Sequence, residues 1–279
     1  MSDFISIFSY PFMSRALIVG ILISLCSSLL GTSLVLKRYS MIGDGLSHVG
    51  FGALAIAAVL NLAPLTVAIP IVMLSAVLLL KLSSNSKLKG DSAIAVISTS
   101  ALAIGVIIVS VKGTNTDLSN YMFGSILSLT TADTVTSIIV SVLIAVLFIF
   151  FYNRIFTVTF DEDFSMATGT NVSLVNTVLA ILTSVTVVIG MRMMGTLLVS
   201  SLIIFPALSS IRLCKTFKGV TVVSAIISVI AFTVGLALSY ELSFPTGATI
   251  VVTHLLILII SFIIQKIRNS MNLKKSKNN

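Results

Sequence analysis

Charge is the scarcest property of this sequence. Its 279 residues include 17 Lys or Arg and 9 Asp or Glu, only 9% of the chain, whereas 57% are hydrophobic. A soluble globular domain carries about 25% charged residues, so these few charges cannot form the shell of a water-soluble fold. A soluble enzyme, a disordered chain and a nucleic-acid-binding module are all excluded. Cysteine is nearly absent: Cys26 and Cys214 are too few for a disulfide framework and leave the redox compartment open. Neither a phosphate-binding GxxxxGK[ST] run nor a GxSxG nucleophile turn occurs. Any energy must therefore come from another chain or from an ion gradient. Residues 1–10 hold Asp3 but no Lys or Arg, so they lack the positive n-region of a signal peptide. The first apolar helix is expected to be retained.

What the sequence does have is long apolar runs, with a mean hydropathy of +1.15. A membrane helix needs about 20 apolar residues to cross a ~30 Å hydrocarbon core. Only helices and closed barrels satisfy every backbone amide there, and these runs do not alternate with period two, so they read as helices. Nine segments are predicted, near 15–36, 44–60, 63–82, 92–111, 134–154, 172–191, 195–213, 219–239 and 246–266, giving eight or nine crossings. The fold class is all-α: a single polytopic membrane domain over 1–279, with no internal repeat or soluble insertion. With the amino terminus outside, fourteen of the 17 Lys and Arg face the cytoplasm, against Arg15, Lys112 and Arg192 outside. The positive-inside bias favours that orientation in a cell membrane. It puts the basic tail, 266–279, in the cytoplasm beside acidic headgroups.

Ionisable residues inside spans are costly and mark function. Asp44 and His48 open the second predicted span in the stretch MIGDGLSHVGFG, 41–52. Four residues apart on a helix, they share one face with Cβ atoms about 6 Å apart. A carboxylate and a neutral imidazole so placed can grip a divalent cation, zinc readily and manganese with more oxygen ligands. Ser47 could lend a weak ligand. The same residues also fit a plainer role, Asp44 as an N-cap with His48 hydrogen-bonded to it. His254, midway along the last span, is either a further weak ligand or a hydrogen-bonded packing residue. Met191, Met193 and Met194 offer soft sulfur or simple packing, and Glu241 is expected on an outer loop.

A second stretch, FDEDFSMATG at 160–169, reads as a short amphipathic helix on the cytoplasmic side. Asp161, Glu162 and Asp163 open it where acids complement the helix dipole. Phe164 and Ala167 share one side, and Gly169 is a C′ stop. With Phe160 it makes a docking knob for a cytosolic partner.

These stretches carry a family resemblance. The segment 41–51 resembles the Gly-Asp-x-x-Ser-His element of permease subunits of bacterial ABC importers for zinc, manganese or iron(II). NYMFGSIL (120–127), GTLLVSSLIIFPA (195–207) and PTGATIV (245–251) are similar to three further elements of that family, in the same order. The resemblance implies an all-helical permease like the vitamin B12-type importers, paired as a homodimer. It implies that Asp44 and His48 line a metal pathway. It also implies that 161–169 is the coupling helix seated on a separate cytosolic ATPase, with an extracytoplasmic metal-binding protein delivering the ion. The chain is then not an enzyme, holds no permanent cofactor and binds no nucleic acid. Its cargo is a divalent metal, zinc ahead of manganese because a histidine is present and oxygen ligands are few. One departure is local: Val49-Gly50-Phe51-Gly52 stands where many members have a Pro-Gly step. The alternative is a proton- or sodium-coupled secondary metal transporter, a class that commonly carries inverted repeats.

Overall fold

The computed structural model describes residues 10–85, 90–112 and 129–277. Among them all regular structure is helical: α1 (Pro11–Leu36), α2 (Ile42–Val59), α3 (Pro64–Asn85), α4 (Gly90–Lys112), α5 (Thr131–Phe160), α6 (Glu162–Ala167), α7 (Val172–Met194), α8 (Thr196–Leu213), α9 (Phe217–Leu242) and α10 (Thr246–Lys277). Each of the nine predicted segments coincides with one long helix. Eight are long and apolar enough to cross a membrane, and the apolar part of α3, Pro64–Leu80, is shorter. The motif at 120–127 lies outside the described residues.

The breaks follow local chemistry. Pro11 sits in the first turn of α1, where its missing N–H costs nothing. Thr130 and Asp133 form a reciprocal capping box that starts α5. Asn171 and Thr216 cap α7 and α9 through the amides of Leu174 and Gly219. Between α7 and α8 the chain reverses on the single residue Gly195, at φ 90° and ψ 160°, a conformation open to glycine because it lacks Cβ.

Lipid supplies no hydrophobic drive between helices, so close packing and hydroxyl hydrogen bonds hold them. Ser224 and Ser228 of α9 donate to the backbone oxygens of Ser28 and Ser24 on α1, at 3.4 and 3.0 Å. Helices α2 and α4 meet backbone to backbone: a Cβ on Gly52 would come within 2.6 Å of the Ala101 oxygen, and one on Gly105 within 2.8 Å of the Gly52 Cα. Helix α10 stands at the periphery, with Leu256, Ile260 and Ile263 exposed.

Basic residues gather at one end of the bundle. There Lys37 at the end of α1 meets α6 and α7. Phe156 and Phe160 of α5 meet Phe217 of α9, and Arg268 of α10 binds the last carbonyls of α8. At the opposite end Arg15 donates to the Leu129 oxygen at 3.2 Å, and Arg192 lies 3.5 Å from Asp133. Helix α10 runs on into the basic tail as far as Lys277.

Candidate metal pathway and docking helix

Asp44 is not an N-cap. Met41 holds that position with no side-chain cap, and Asp44 falls in the first turn of α2. Its carboxylate turns along the helix instead, with Oδ2 3.5 Å from His48 Nε2, the outer limit of a hydrogen bond. The Asp44 side chain is 41% exposed and that of His48 29%, so both reach an open face of the chain. Ser200 of α8, which the sequence reading did not single out, shares its one hydroxyl proton between Asp44 Oδ1 at 3.4 Å and the Thr196 oxygen at 3.1 Å. The group thus draws an imidazole, a carboxylate and a hydroxyl from two helices.

Packing around the pair sets its depth. One residue before Ser200, Val199 packs on Gly190 and near Ile23. Three residues after it, Ile203 packs on Gly31 of α1 and on Gly43 of α2. Gly31 lies about 7 Å inside the end of α1 at ~1.5 Å per residue. The α1–α2 turn therefore folds back so that α2 begins within the bundle. That turn contains Arg38 at φ 64°, and the Tyr39 amide bonds back to the Leu34 oxygen at 2.8 Å.

The other candidates lie elsewhere. Ser47 is fully buried, and its hydroxyl donates to the Asp44 backbone oxygen at 2.7 Å. His254 is 1% exposed; its Nδ1 lies 2.9 Å from the Ile250 oxygen on its own helix. Met191, Met193 and Met194 are buried in the apolar core, Met191 against Gly50, which is packing. Glu241 belongs to the last turn of α9 rather than to a loop. Among the described residues no cluster of three or more His, Cys, Asp or Glu forms.

The second candidate region is α6. Asp161 is its N-cap, accepting the Phe164 amide at 2.8 Å. The helix ends at Ala167, and Gly169 reverses the chain at φ 82°. Only Ser165 is buried in this helix. Phe160, Phe164 and Met166 stand out at 61, 60 and 56% exposure, and Asp163, Ala167 and Gly169 are exposed with them. Glu162 serves a purpose the sequence did not suggest. Its Oε1 accepts from Lys37 Nζ at 2.7 Å and from Asn176 Nδ2 at 3.2 Å, and Lys37 also donates to Asn176. This triad ties α6 to the end of α1 and the start of α7. Burial pulls the Lys37 ammonium below its ordinary pKa, although the hydrogen bond and charge of Glu162 oppose that. For Glu162 partial burial acts upward, but the Lys37 and Asn176 contacts outweigh it and hold the carboxyl below its usual range.

Among the described residues, nine long helices, a carboxylate–imidazole pair on an open face and an exposed short helix at one end fit a multi-pass membrane permease. The ABC 3 transport family model matches residues 9–265, and the chain belongs to that family. It is 30% identical to the manganese import system permease protein ScaB of Streptococcus gordonii, over 91% of this chain and 92% of that one. It is 27% identical to the high-affinity zinc uptake system membrane protein ZnuB of Haemophilus influenzae, over 88% and 95% of the two chains. Among solved structures, PsaBC from Streptococcus pneumoniae in complex with Fab superposes with a TM-score of 0.83 at 29% identity, covering 94% of this chain and 95% of that chain.

Proposed function

We propose that this chain is the membrane half of an ATP-driven importer for a divalent transition metal, two copies of it enclosing the pathway. The observation that carries this reading is the Asp44–His48 pair, set on an open face inside an otherwise apolar bundle. Such groups are expensive in a membrane unless they serve a passing ion. One copy offers one imidazole nitrogen and one carboxylate, and a second copy facing it would double that to four donors. Four mixed nitrogen and oxygen donors suit zinc, while manganese would draw further oxygens from water or from Ser200. Relatives named for manganese and for zinc both support a metal cargo, with zinc preferred here on the donor count.

Energy reaches the pathway through α6. Its exposed Phe164 and Met166 would seat on a cytosolic ATPase, and the Lys37–Glu162–Asn176 triad would pass the movement to the α1–α2 turn, seven residues before Asp44. The basic end of the bundle would then be cytoplasmic, with the amino terminus outside, where an extracytoplasmic metal-binding protein would deliver the ion.

The test is uptake of radioactive zinc and manganese into proteoliposomes holding the permease, with and without its ATPase and ATP. Uptake that requires both supports the importer. Uptake driven by a proton or sodium gradient with the ATPase absent would replace it with a secondary transporter.

A further inference from the structure

At the basic end of the bundle, beside the end of α8, α10 lines a cavity of about 620 Å³, formed in part by Arg212, Phe262, Gln265, Lys266, Asn269 and Ser270. Nothing in the metal pathway or in α6 uses it. Arg212 is held in place there: its guanidinium carbon sits 3.3 Å from the centre of the Phe262 ring, and Nη1 donates to Gln265 Oε1 at 3.0 Å. Its Nε–H is buried without a hydrogen-bond partner, and the contacts of Nη1 and of the ring hold the guanidinium at the cavity wall. Arg268 is otherwise engaged, donating to the backbone oxygens of Leu213 and Arg212 at 2.9 and 3.1 Å, which fixes the spacing of the two helices. No lining residue is acidic, so Arg212 and Lys266 face the cavity without a carboxylate. Asn269 and Ser270 add neutral donors.

We propose that this cavity binds the phosphate headgroup of an anionic phospholipid. Arg offers a planar fork of donors suited to phosphate oxygens, and basic pockets between membrane helices are suited to such headgroups. What selects a lipid over a free phosphate is the apolar wall. Phe262 and Ile263 line the same cavity and are 46 and 53% exposed, continuous with exposed Ile259, Ile260 and Ile267 on the outer face of α10. Acyl chains would lie along that face while the phosphate met Arg212 and Lys266.

The test uses the purified full chain in detergent, supplied with mixed micelles of phosphatidylglycerol and phosphatidylcholine and read by native mass spectrometry. Phosphatidylglycerol should be retained in preference to phosphatidylcholine. Arg212→Met should cut that preference about fivefold, the weight of one cation near a membrane surface. Because Arg212 also packs on Phe262, the surface variant K266Q/N269A provides a second reading and should lower the preference similarly without altering melting. Lys218→Gln, at the same end but outside the cavity, should leave it unchanged. Equal loss in Lys218→Gln would mean diffuse attraction and overturn the site. So would full retention in K266Q/N269A, or displacement of the lipid by millimolar inorganic phosphate.

Discussion

At the scale of single residues, Asp44, His48 and Ser200 do unequal work. In the proposed pathway Asp44 and His48 would supply the donors, whereas Ser200 would orient one carboxylate oxygen from 3.4 Å away. Ser200→Ala should therefore weaken uptake less than removal of either donor, by about threefold, the weight of one long, weak hydrogen bond. Metal-uptake kinetics would read this as a raised half-saturation concentration with little change in maximal rate. Asp44 and His48 could be picked out from the sequence because ionisable groups are rare in its apolar runs. Ser200 could not: it is one of many hydroxyls, and 156 residues separate it from its partner. The capping alternative for Asp44 failed because the chain starts α2 two residues earlier, at Ile42.

At the scale of elements, the triad binding α6 to α1 is the feature with most consequence. The Lys37 side chain is 6% exposed and that of Glu162 45%, between the surface and buried extremes of ion pairs. Glu162→Gln should loosen α6 by about 1 kcal/mol, and Lys37→Met by more, since it strips from Glu162 the cation paired with it. Hydrogen exchange of the α6 amides would show both. The pH dependence has a definite sign. Glu162 titrates below its usual value when folded, so its contribution is complete above the ordinary carboxylate pKa. That contribution is lost as pH falls through the lower folded value. Exchange in α6 should rise on that acid side and stay low at neutral pH. The contact between α2 and α4 makes a separate prediction. Gly105→Val would force the two backbones apart, costing about 1–3 kcal/mol as overpacking, visible as a lower melting midpoint in detergent. The short helix itself was legible from Asp161 and Gly169, its cap and its stop. Its tether was not, because nothing in the local pattern of Lys37 points to a residue 125 positions away.

At the scale of the whole molecule, apolar run lengths specify the nine long helices of the described residues well, eight of them long and apolar enough to cross a membrane. They say little about which helix faces which. Lipid and protein interior are similarly apolar, so the usual hydrophobic face that orients a helix in a soluble protein is weak here. Neighbours are chosen by glycine contacts and serine hydroxyls, which were visible in sequence only as composition. The proposed orientation takes all nine long helices of the described residues across the membrane, which would put the two termini on opposite sides. Reporter fusions at each terminus should therefore give opposite sidedness, with the carboxy terminus in the cytoplasm. The most direct test of the whole account compares ATP-driven metal uptake by wild type and D44A/H48A, each reconstituted with the ATPase and first shown to co-purify with it. Uptake should fall at least about tenfold, the consequence of losing ~1.4 kcal/mol or more of ion stabilisation, while assembly stays intact. Undiminished uptake by the assembled double variant would mean that the ion crosses without these two side chains, and the pathway assigned to them would be wrong.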